Sequence, residues 1–358
     1  MMHRFATFVA GCTILLVLAG SLVTSTGSGL SVPDWPTTYG WNMFSFPPSK
    51  WVGGILYEHG HRLIASTVGF LTIILAAWLA VQDSRRWMKW LGAAALGAVI
   101  AQGVLGGLTV LFFLPASVST AHAGLAEIFF CMTVAIALFT SPRWIAGYGG
   151  EIVESVENSR LRRAATATTA LIYIQILMGA TMRHTGAGLA IPDFPLMFGH
   201  LWPTHWDPKI VIHFAHRVGA LIVTLSVAAT AVLVWSRDTR DARRRQQGAL
   251  TRPAGLLLSL VVVQITLGAL TVLTSRDVWI NSVHVVCGAL VLTTSLVLTL
   301  RTWRPRFATA TVPGNVHATN TIANVDSDAA AATRSVRVLD RRSLGEGGQP
   351  DGTTGVRA

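Results

Sequence analysis

Four histidines stand near the start of long apolar segments of this 358-residue chain, where ionisable side chains are costly and are usually functional. They are His61, His122, His216 and His284. A position a few residues into a membrane helix lies only about 5–9 Å deep, so all four imidazoles are predicted to share one layer. Pairs of histidines on facing helices are what bis-axial ligation of a haem iron requires. The sequence therefore predicts one haem site for each of two histidine pairs.

An arginine directly follows two of these histidines, as His61-Arg62 and His216-Arg217. A guanidinium is a forked donor that suits the propionate carboxylates of a haem, so Arg62 and Arg217 are predicted to be cofactor-binding residues. Zinc suits these sites less well, because no cysteine or carboxylate cluster completes a tetrahedral ligand set in the second half of the chain. The three cysteines each lie inside an apolar run, so no disulfide framework is expected.

The two halves of the chain differ beside these histidines. Glu58 lies three residues before His61 on the same helix face, whereas His213 takes that place before His216. A carboxyl group beside iron can exchange protons or stabilise a developing cation, so Glu58 is the predicted catalytic residue. The alternative is a salt bridge between Glu58 and Arg62, and the two roles are not exclusive. For His213, a role in supporting the ligand and a purely structural role are both open.

The remaining polar side chains of interest are given lesser roles. Glu127 lies inside the fourth apolar segment and is a candidate for a proton path. His59 is expected to lie at the membrane interface. Three histidines of a later loop are expected to be solvated and not to bind metal: His184, His200 and His205.

Eight apolar segments, which include the four histidines, are long enough to cross a membrane as helices. Hydrophobic residues make up 51% of the chain and charged residues 13%, against about a quarter charged in a soluble domain. A membrane-spanning helix needs roughly 20 apolar residues. The segments are 5–24, 55–82, 90–114, 120–140, 164–182, 211–235, 254–274 and 281–301. The prediction is an all-α integral membrane protein whose first helix is retained and not cleaved as a signal peptide.

The distribution of basic residues predicts how this protein is oriented in the membrane. They concentrate in three alternate connections, 83–89, 141–163 and 236–253. By the positive-inside rule these connections and both termini are cytoplasmic, and the alternate loops face outward. The outward loops are 25–54, 113–119, 184–210 and 275–280. We therefore expect a multi-pass protein of the bacterial inner membrane. The net charge of +11 reflects its orientation in the lipid bilayer, and no nucleic-acid partner is expected.

The chain contains an internal repeat. TGSGLSVPDWP at 26–36 recurs as TGAGLAIPDFP at 185–195, and QGVLGGLTV at 102–110 recurs as QITLGALTV at 264–272. The four histidines recur with them, at offsets of 155 to 162 residues. A repeat unit of four spans ends on the side of the membrane where it began, so both units have the same orientation. The sequence therefore predicts two tandem pseudo-symmetric four-helix bundles related by an axis along the membrane normal, with glycines allowing close helix approach.

In combination and order, these motifs resemble the haem A synthase family over about residues 5–300. The motifs are TGSGLSVPDWP, Glu58-x-x-His61-Arg62, His122, His216-Arg217 and His284. The resemblance implies an oxidoreductase that converts a methyl group of haem O to the formyl group of haem A, by successive hydroxylations and loss of water, for assembly of a haem-copper terminal oxidase. It implies that His61 and His122 bind the substrate haem O and that Glu58 is the catalytic carboxylate. It also implies a haem b cofactor on His216 and His284.

Partners and domains follow from the same resemblance. It implies an apolar slot for a farnesyl-type tail, with the haem O synthase and an electron donor as partners, and it leaves homo-oligomerisation open. The predicted domains are an N-terminal bundle with the substrate haem (1–140), a cytoplasmic linker (141–163), a C-terminal bundle with haem b (164–301) and a disordered cytoplasmic tail (302–358).

One departure and two alternatives accompany the resemblance. Many relatives carry a cysteine pair in the first outer loop, where this chain has Val32 and Thr38, so it would belong to a Cys-lacking branch without their thiol chemistry. A b-type cytochrome that only passes electrons would use the four histidines but would not need Glu58. A transporter built on a duplicated bundle commonly has helices broken near the midplane, whereas these spans contain no proline away from their ends.

Overall fold

A computed structural model of the chain describes residues 1–146, 159–238 and 244–309, and these residues build a helical membrane protein. The helices are α1 (Met2–Ser25), α2 (Gly54–Gln82), α3 (Arg86–Leu111), α4 (Ala116–Phe139), α5 (Pro142–Ala146), α6 (Ser159–His184), α7 (Pro208–Asp238), α8 (Arg244–Leu273) and α9 (Val278–Thr309). All except the short α5 are long and apolar enough to cross a membrane. The predicted all-α fold with eight spans is therefore confirmed.

Helix α8 begins earlier than the sequence predicted, because it continues through a proline. Pro253 lies inside the helix, whereas the apolar segment was expected to begin at 254. Proline has no N–H group, so it leaves the carbonyl four residues before it without its helical partner. That carbonyl belongs to Ala249, and Arg301 of α9 donates a hydrogen bond to it at 2.6 Å. A contact from another helix thus replaces the missing bond.

The first four long helices pack in a ring, and the second four are joined in a similar way. Helix α1 packs against α2 and α4, and α3 packs against both α2 and α4. In the second set, α7 packs against α6 and α8. The Thr169 hydroxyl of α6 bonds the Ser295 hydroxyl of α9 at 2.8 Å, and Cys287 of α9 donates to the Leu260 carbonyl of α8. A buried apolar cluster that includes Leu161, Val227, Leu257 and Leu292 fills this second set.

The two helix sets meet along two helix pairs. Helix α4 packs against α6, where the Tyr173 hydroxyl donates to the carbonyl of Gly124 at 3.3 Å. Helix α1 meets α9, where the Ser282 hydroxyl donates to that of Ser25 at 2.9 Å. The last long helix of each set thus contacts the first helix of the other, which is what the predicted two-fold relation would produce. Residues Met1–Pro305 form one compact unit.

Three stretches of the predicted organisation lie outside the described residues. They are 147–158 in the predicted linker, 239–243 in the third basic connection, and 310–358 in the predicted tail. The domain boundaries stay a prediction.

Two long loops, 26–53 and 185–207, cover the same end of the molecule, which we call the loop end. Each loop contains a turn held by an aspartate. Asp34 accepts hydrogen bonds from the N–H groups of Tyr39 and Gly40 at 2.7 and 2.8 Å. In the second loop Asp193 accepts from Phe198 and Gly199 in the same way, both at 2.8 Å. The glycines have φ values of +75° and +78°, a conformation that other residues rarely adopt. The sequence repeat is thus also a repeat of hydrogen bonds.

The aspartate turns predict a pH response of the loop end. Partial burial raises the pKa of Asp34, but hydrogen bonds from Gly40, Thr37 and Tyr39 outweigh it and leave the pKa below its ordinary value. The Gly199 N–H bond lowers the pKa of Asp193. A carboxyl group whose pKa is lowered by folding stabilises the fold above its unfolded pKa of about 4, and this contribution is lost as the pH falls through the folded pKa. Hydrogen–deuterium exchange should show the turn amides losing protection below about pH 4.

An Asp34→Asn variant is the control for this response. The asparagine carries no charge to lose, so protection in the first loop should no longer depend on pH, while the second loop keeps its dependence through Asp193. Turn amides whose protection is the same at pH 7 and pH 3 in the unaltered protein would contradict the interpretation.

Candidate functional site

The four predicted histidines lie near the loop end, each with its ring packed against a glycine of a neighbouring helix. The distances run from imidazole Cε1 to the place that a Cβ would take on the glycine. They are 3.0 Å for His61 on Gly20, 3.1 Å for His122 on Gly106, 2.9 Å for His216 on Gly179, and 3.1 Å for His284 on Gly268. A larger residue at any of these positions would displace the ring. Glycine therefore sets where each imidazole lies.

The two predicted histidines of each half lie on different helices of the same helix set. His61 of α2 and His122 of α4 lie within electrostatic range of each other in the first helix set. His216 of α7 and His284 of α9 do the same in the second set. Each half of the chain thus contains two imidazoles on different helices of one bundle.

A glutamine contacts three of the four rings. Gln102 Nε2 lies 3.4 Å from His122 Nε2, and Gln175 Nε2 lies 3.0 Å from His216 Nδ1. Gln264 Nε2 lies 3.4 Å from His284 Nε2. Gln102 and Gln175 also donate to the backbone carbonyls of His122 and His216, at 2.9 and 2.8 Å. The sequence analysis treated the Gln102 and Gln264 repeat only as helix packing. The signal that it missed is a Gln-x-x-x-Gly spacing in the helix before each of these histidines.

Three of the four rings have a nitrogen that is open to a ligand. The Nδ1 atoms of His61, His122 and His284 are buried and have no hydrogen-bond partner among the described residues. A buried polar atom left without a partner costs about 1–3 kcal/mol, which is typical of a site built for a ligand. Within the described residues no group of three or more His, Cys, Asp or Glu could hold a metal. Two-histidine sites are what this part of the chain offers, and two facing imidazoles are the donor set of a bis-histidine haem.

Glu58 and Arg62 fasten the first loop onto α2. Glu58 is 3% exposed, and its carboxylate accepts hydrogen bonds from the Val32 N–H at 2.8 Å and from Arg62 Nη2 at 2.7 Å. Arg62 also donates to the backbone carbonyls of Val32, Asp34 and Thr37 at 2.7 to 3.1 Å. The salt bridge considered as an alternative role for Glu58 is therefore present. The catalytic role of Glu58 and the propionate role of Arg62 stay predictions.

His213 and Arg217 repeat this fastening in the second half. His213 is 2% exposed; its Nδ1 accepts a hydrogen bond from the Ile191 N–H at 3.2 Å, and its Nε2 lies 3.3 Å from Arg217 Nε. Arg217 donates to the carbonyls of Ile191, Asp193 and Leu196 at 2.6 to 3.2 Å. Of the two roles left open for His213, these contacts supply the structural one. The first half thus places a carboxylate where the second half places an imidazole.

The prediction for His59 is wrong, because the first loop folds back over α2 and buries this residue. Its side chain is fully buried, with Nδ1 3.2 Å from the Thr38 hydroxyl. The aromatic rings of Phe46 and Trp51 pack on it at centroid distances of 5.1 and 4.8 Å. His59 therefore lies beneath the loop and not at the membrane interface.

The remaining polar residues divide between buried and exposed positions. Glu127 is buried in α4, and its Oε2 has no hydrogen-bond partner among the described residues. His200 and His205 are exposed, as predicted. His184 differs from them, because it is the last residue of α6, is partly buried, and lies within electrostatic range of His122.

Helix α3 offers a matched test of the glycine contacts. In a Gly106→Ala variant the new methyl group would lie 3.1 Å from the His122 ring, so the ring must move by a few tenths of an ångström. Misplacing a reacting group by 1 Å can cost about 10²-fold, so this smaller shift should weaken haem binding in the first half severalfold. A haem titration followed by absorbance measures the effect. In the control, Gly103→Ala, the methyl group meets no atom within 4 Å, and equal weakening by both variants would contradict the prediction.

The chain is similar to known proteins of one family. A family model described as "Cytochrome oxidase assembly protein" (COX15-CtaA) matches residues 3–296. The heme A synthase of Symbiobacterium thermophilum is 31% identical over 262 residues, covering 72% of this chain and 81% of that protein. The heme A synthase of Geobacillus kaustophilus is 28% identical over 309 residues, covering 84% and 92%. That of Methylobacterium radiotolerans is 28% identical over 335 residues, covering 81% and 86%. Because the matched region runs from α1 into α9 and includes both histidine pairs, this chain belongs to the COX15-CtaA family of cytochrome oxidase assembly proteins, the haem A synthase family.

Proposed function

We propose that this protein is a haem A synthase, an oxidoreductase that converts a methyl group of haem O to the formyl group of haem A for terminal oxidase assembly. The observation that carries the proposal is the presence of two histidine pairs, each with its rings set against glycine, in a chain of this family. The relatives named heme A synthase support the same activity. A cytochrome that only passes electrons explains the four histidines but not the Glu58 carboxylate of one half.

The two pairs have different tasks in this proposal. His216 and His284 hold a haem b cofactor, and His61 and His122 hold the substrate haem O. A haem b bound in the second half supplies electron transfer between an external donor and the substrate site. Glu58 favours the first half as the place of reaction, because it lies three residues before His61 and the second half has His213 there.

The chain's own residues cover the first site and exchange protons there. The Trp35 ring of the first loop lies against Gly107, beside the Gly106 that backs His122, and so forms a wall of this half at the loop end. Glu58 and Arg62 hold that loop in place and keep water out. Each hydroxylation by dioxygen takes up two electrons from the donor and two protons, and it releases one water molecule. Glu58 is the proposed group that delivers protons to the first site.

The placement in the membrane also belongs to the proposal. The positive-inside rule places the loop end on the outer face of the inner membrane, with both termini in the cytoplasm. The proposed domains are the N-terminal bundle, 1–140, and the C-terminal bundle, 164–301. The haem O synthase, which makes the substrate, and an electron donor are the proposed partners.

The test is the reaction itself. Purified full-length protein, supplied with haem O and a reductant in air, should yield hydroxylated haem O and then haem A, separated by chromatography after acid extraction. His61→Ala protein treated identically is the control for chemistry that does not use the site. Haem O recovered unchanged, together with a second-half haem that still reduces and reoxidises, would favour the electron carrier.

A further inference from the structure

Helix α6 carries an arginine one turn beyond the glycine on which the His216 ring packs. Arg183 follows Gly179 by four residues, so both lie on the same face of α6, and Arg183 is nearer to the loop end by about 5.4 Å. Arg183 also lies within electrostatic range of His284. At the same place after the other three ring-packing glycines, the residues are uncharged: Thr24, Val110 and Val272. Of these four places, the one in α6 therefore brings a cation to the second histidine pair.

Arg183 has N–H groups that no described residue uses. Its Nη2 donates to the Ser21 carbonyl at 2.8 Å and to the Ser25 hydroxyl at 2.7 Å, both on α1. Its Nε is buried and has no hydrogen-bond partner among the described residues. A guanidinium has five N–H donors, so the donors on Nε and Nη1 are left for a ligand.

The charge of Arg183 is not balanced within the described part of the chain. No carboxylate there forms an ion pair with it, and its two hydrogen bonds go to neutral oxygens. Arg276, which lies within electrostatic range, is another cation. Charged side chains within membrane spans are costly and are almost always paired. A cation in this position therefore favours the binding of an anion.

The arginines that follow His61 and His216 have fewer free donors. Arg217 uses four of its five N–H groups, one on His213 and three on carbonyls of the second loop. Arg62 also uses four, one on the Glu58 carboxylate and three on carbonyls of the first loop. Both arginines hold their loops in place, whereas Arg183 keeps three donors for a ligand.

We propose that Arg183 binds a propionate carboxylate of the haem held by His216 and His284. This inference rests on the proposed function, in which the second half holds haem b. A hydrogen bond from a guanidinium to a carboxylate is roughly twice as strong as one between neutral groups, and the propionate supplies the negative charge that Arg183 lacks. The first half has Thr24 at the corresponding place, so the cofactor site has an anion contact that the substrate site does not offer there.

The test compares haem b with its dimethyl ester, in which both propionates are uncharged. The full-length chain carries His61→Ala, so that the second histidine pair is the complete one, and it is purified without haem and titrated with each haem by absorbance. Hydrogen bonds to charged groups contribute about 10–100-fold to affinity, so haem b should bind more tightly than the ester by at least this factor. With Arg183→Met added, the affinity for haem b should fall about 10–100-fold, and the affinity for the ester should be unchanged.

Two variants control for other roles of this region. Lys209→Met removes an exposed cation at the loop end and so controls for overall charge. Ser25→Ala removes the hydroxyl that accepts hydrogen bonds from Arg183, Asn281 and Ser282, which weakens the contact between helices but leaves the Arg183 charge in place. Both variants should keep the preference for haem b over the ester.

The outcomes separate this inference from the proposed function. Equal affinity of the His61→Ala protein for haem b and for the ester would overturn the propionate contact, and this comparison requires no change at Arg183. An Arg183→Met variant that binds both haems more weakly by the same factor would also overturn it, as would loss of the preference in Ser25→Ala, because Arg183 would then act only as a link between helices. These results would leave the synthase proposal standing. A folded His61→Ala protein that binds neither haem would overturn both the second haem site and this inference.

Discussion

Replacing Glu58 by glutamine should abolish haem A formation while leaving the fold and the second-half haem intact. Glutamine keeps one of the two oxygens, so it can accept from the Val32 N–H or from Arg62 but not from both. The first loop stays fastened to α2 through the bonds that Arg62 donates to the carbonyls of Val32, Asp34 and Thr37. Glutamine cannot take up a proton at neutral pH. A positioned acid–base group typically contributes 10²–10⁴-fold to a rate, and the loss should fall in that range. Extraction of haems from membranes that make the variant should show haem O in place of haem A.

Two further substitutions separate catalysis by Glu58 from its structural role. Glu58→His installs the residue that fastens the loop in the second half, so the protein should fold and be inactive. Glu58→Ala removes the fastening as well and should also loosen the first loop. A glutamine variant with normal activity beside an inactive alanine variant would show that Glu58 acts only through its bonds to Val32 and Arg62.

Replacing His216 or His284 by alanine should remove the haem that stays with the protein through purification, whereas His61→Ala and His122→Ala should retain it. The pairs lie in different helix sets, so loss of one ligand leaves the other site unaltered. The measurement is the absorbance spectrum of each purified variant, with iron and protein quantified. We expect a loss of haem of more than about 10-fold, because changing even a residue that supports a metal ligand typically costs 10–100-fold in affinity.

His205→Ala is the matched control for the ligand variants, because His205 is an exposed histidine of the second long loop. It should purify with its full haem content. A complete haem spectrum in the His216→Ala protein would refute the assignment of the second pair, whatever the activity of the chain proves to be.

The contacts of the polar side chains were only partly predictable. Helix spacing placed Glu58 and Arg62 one turn apart, and the salt bridge that follows from this spacing is present. The same reasoning placed His59 away from His61 but assigned it to the membrane interface. It did not foresee that the first loop folds back and buries His59 beneath Phe46 and Trp51. That burial depends on a segment up to 21 residues earlier in the chain, and helix periodicity contains no information about it.

The sequence by itself determined the eight spans, the repeat and the four histidines, because the length of an apolar run, the recurrence of a motif and the presence of an imidazole are properties of the chain read locally. Only the tertiary structure decided which partner each polar group has. Gln102 and His122 lie 20 residues apart on different helices, and Arg62 meets carbonyls 25 to 30 residues before it. Hydrogen bonds act over about 3 Å, so the partners are decided where packing brings distant segments together.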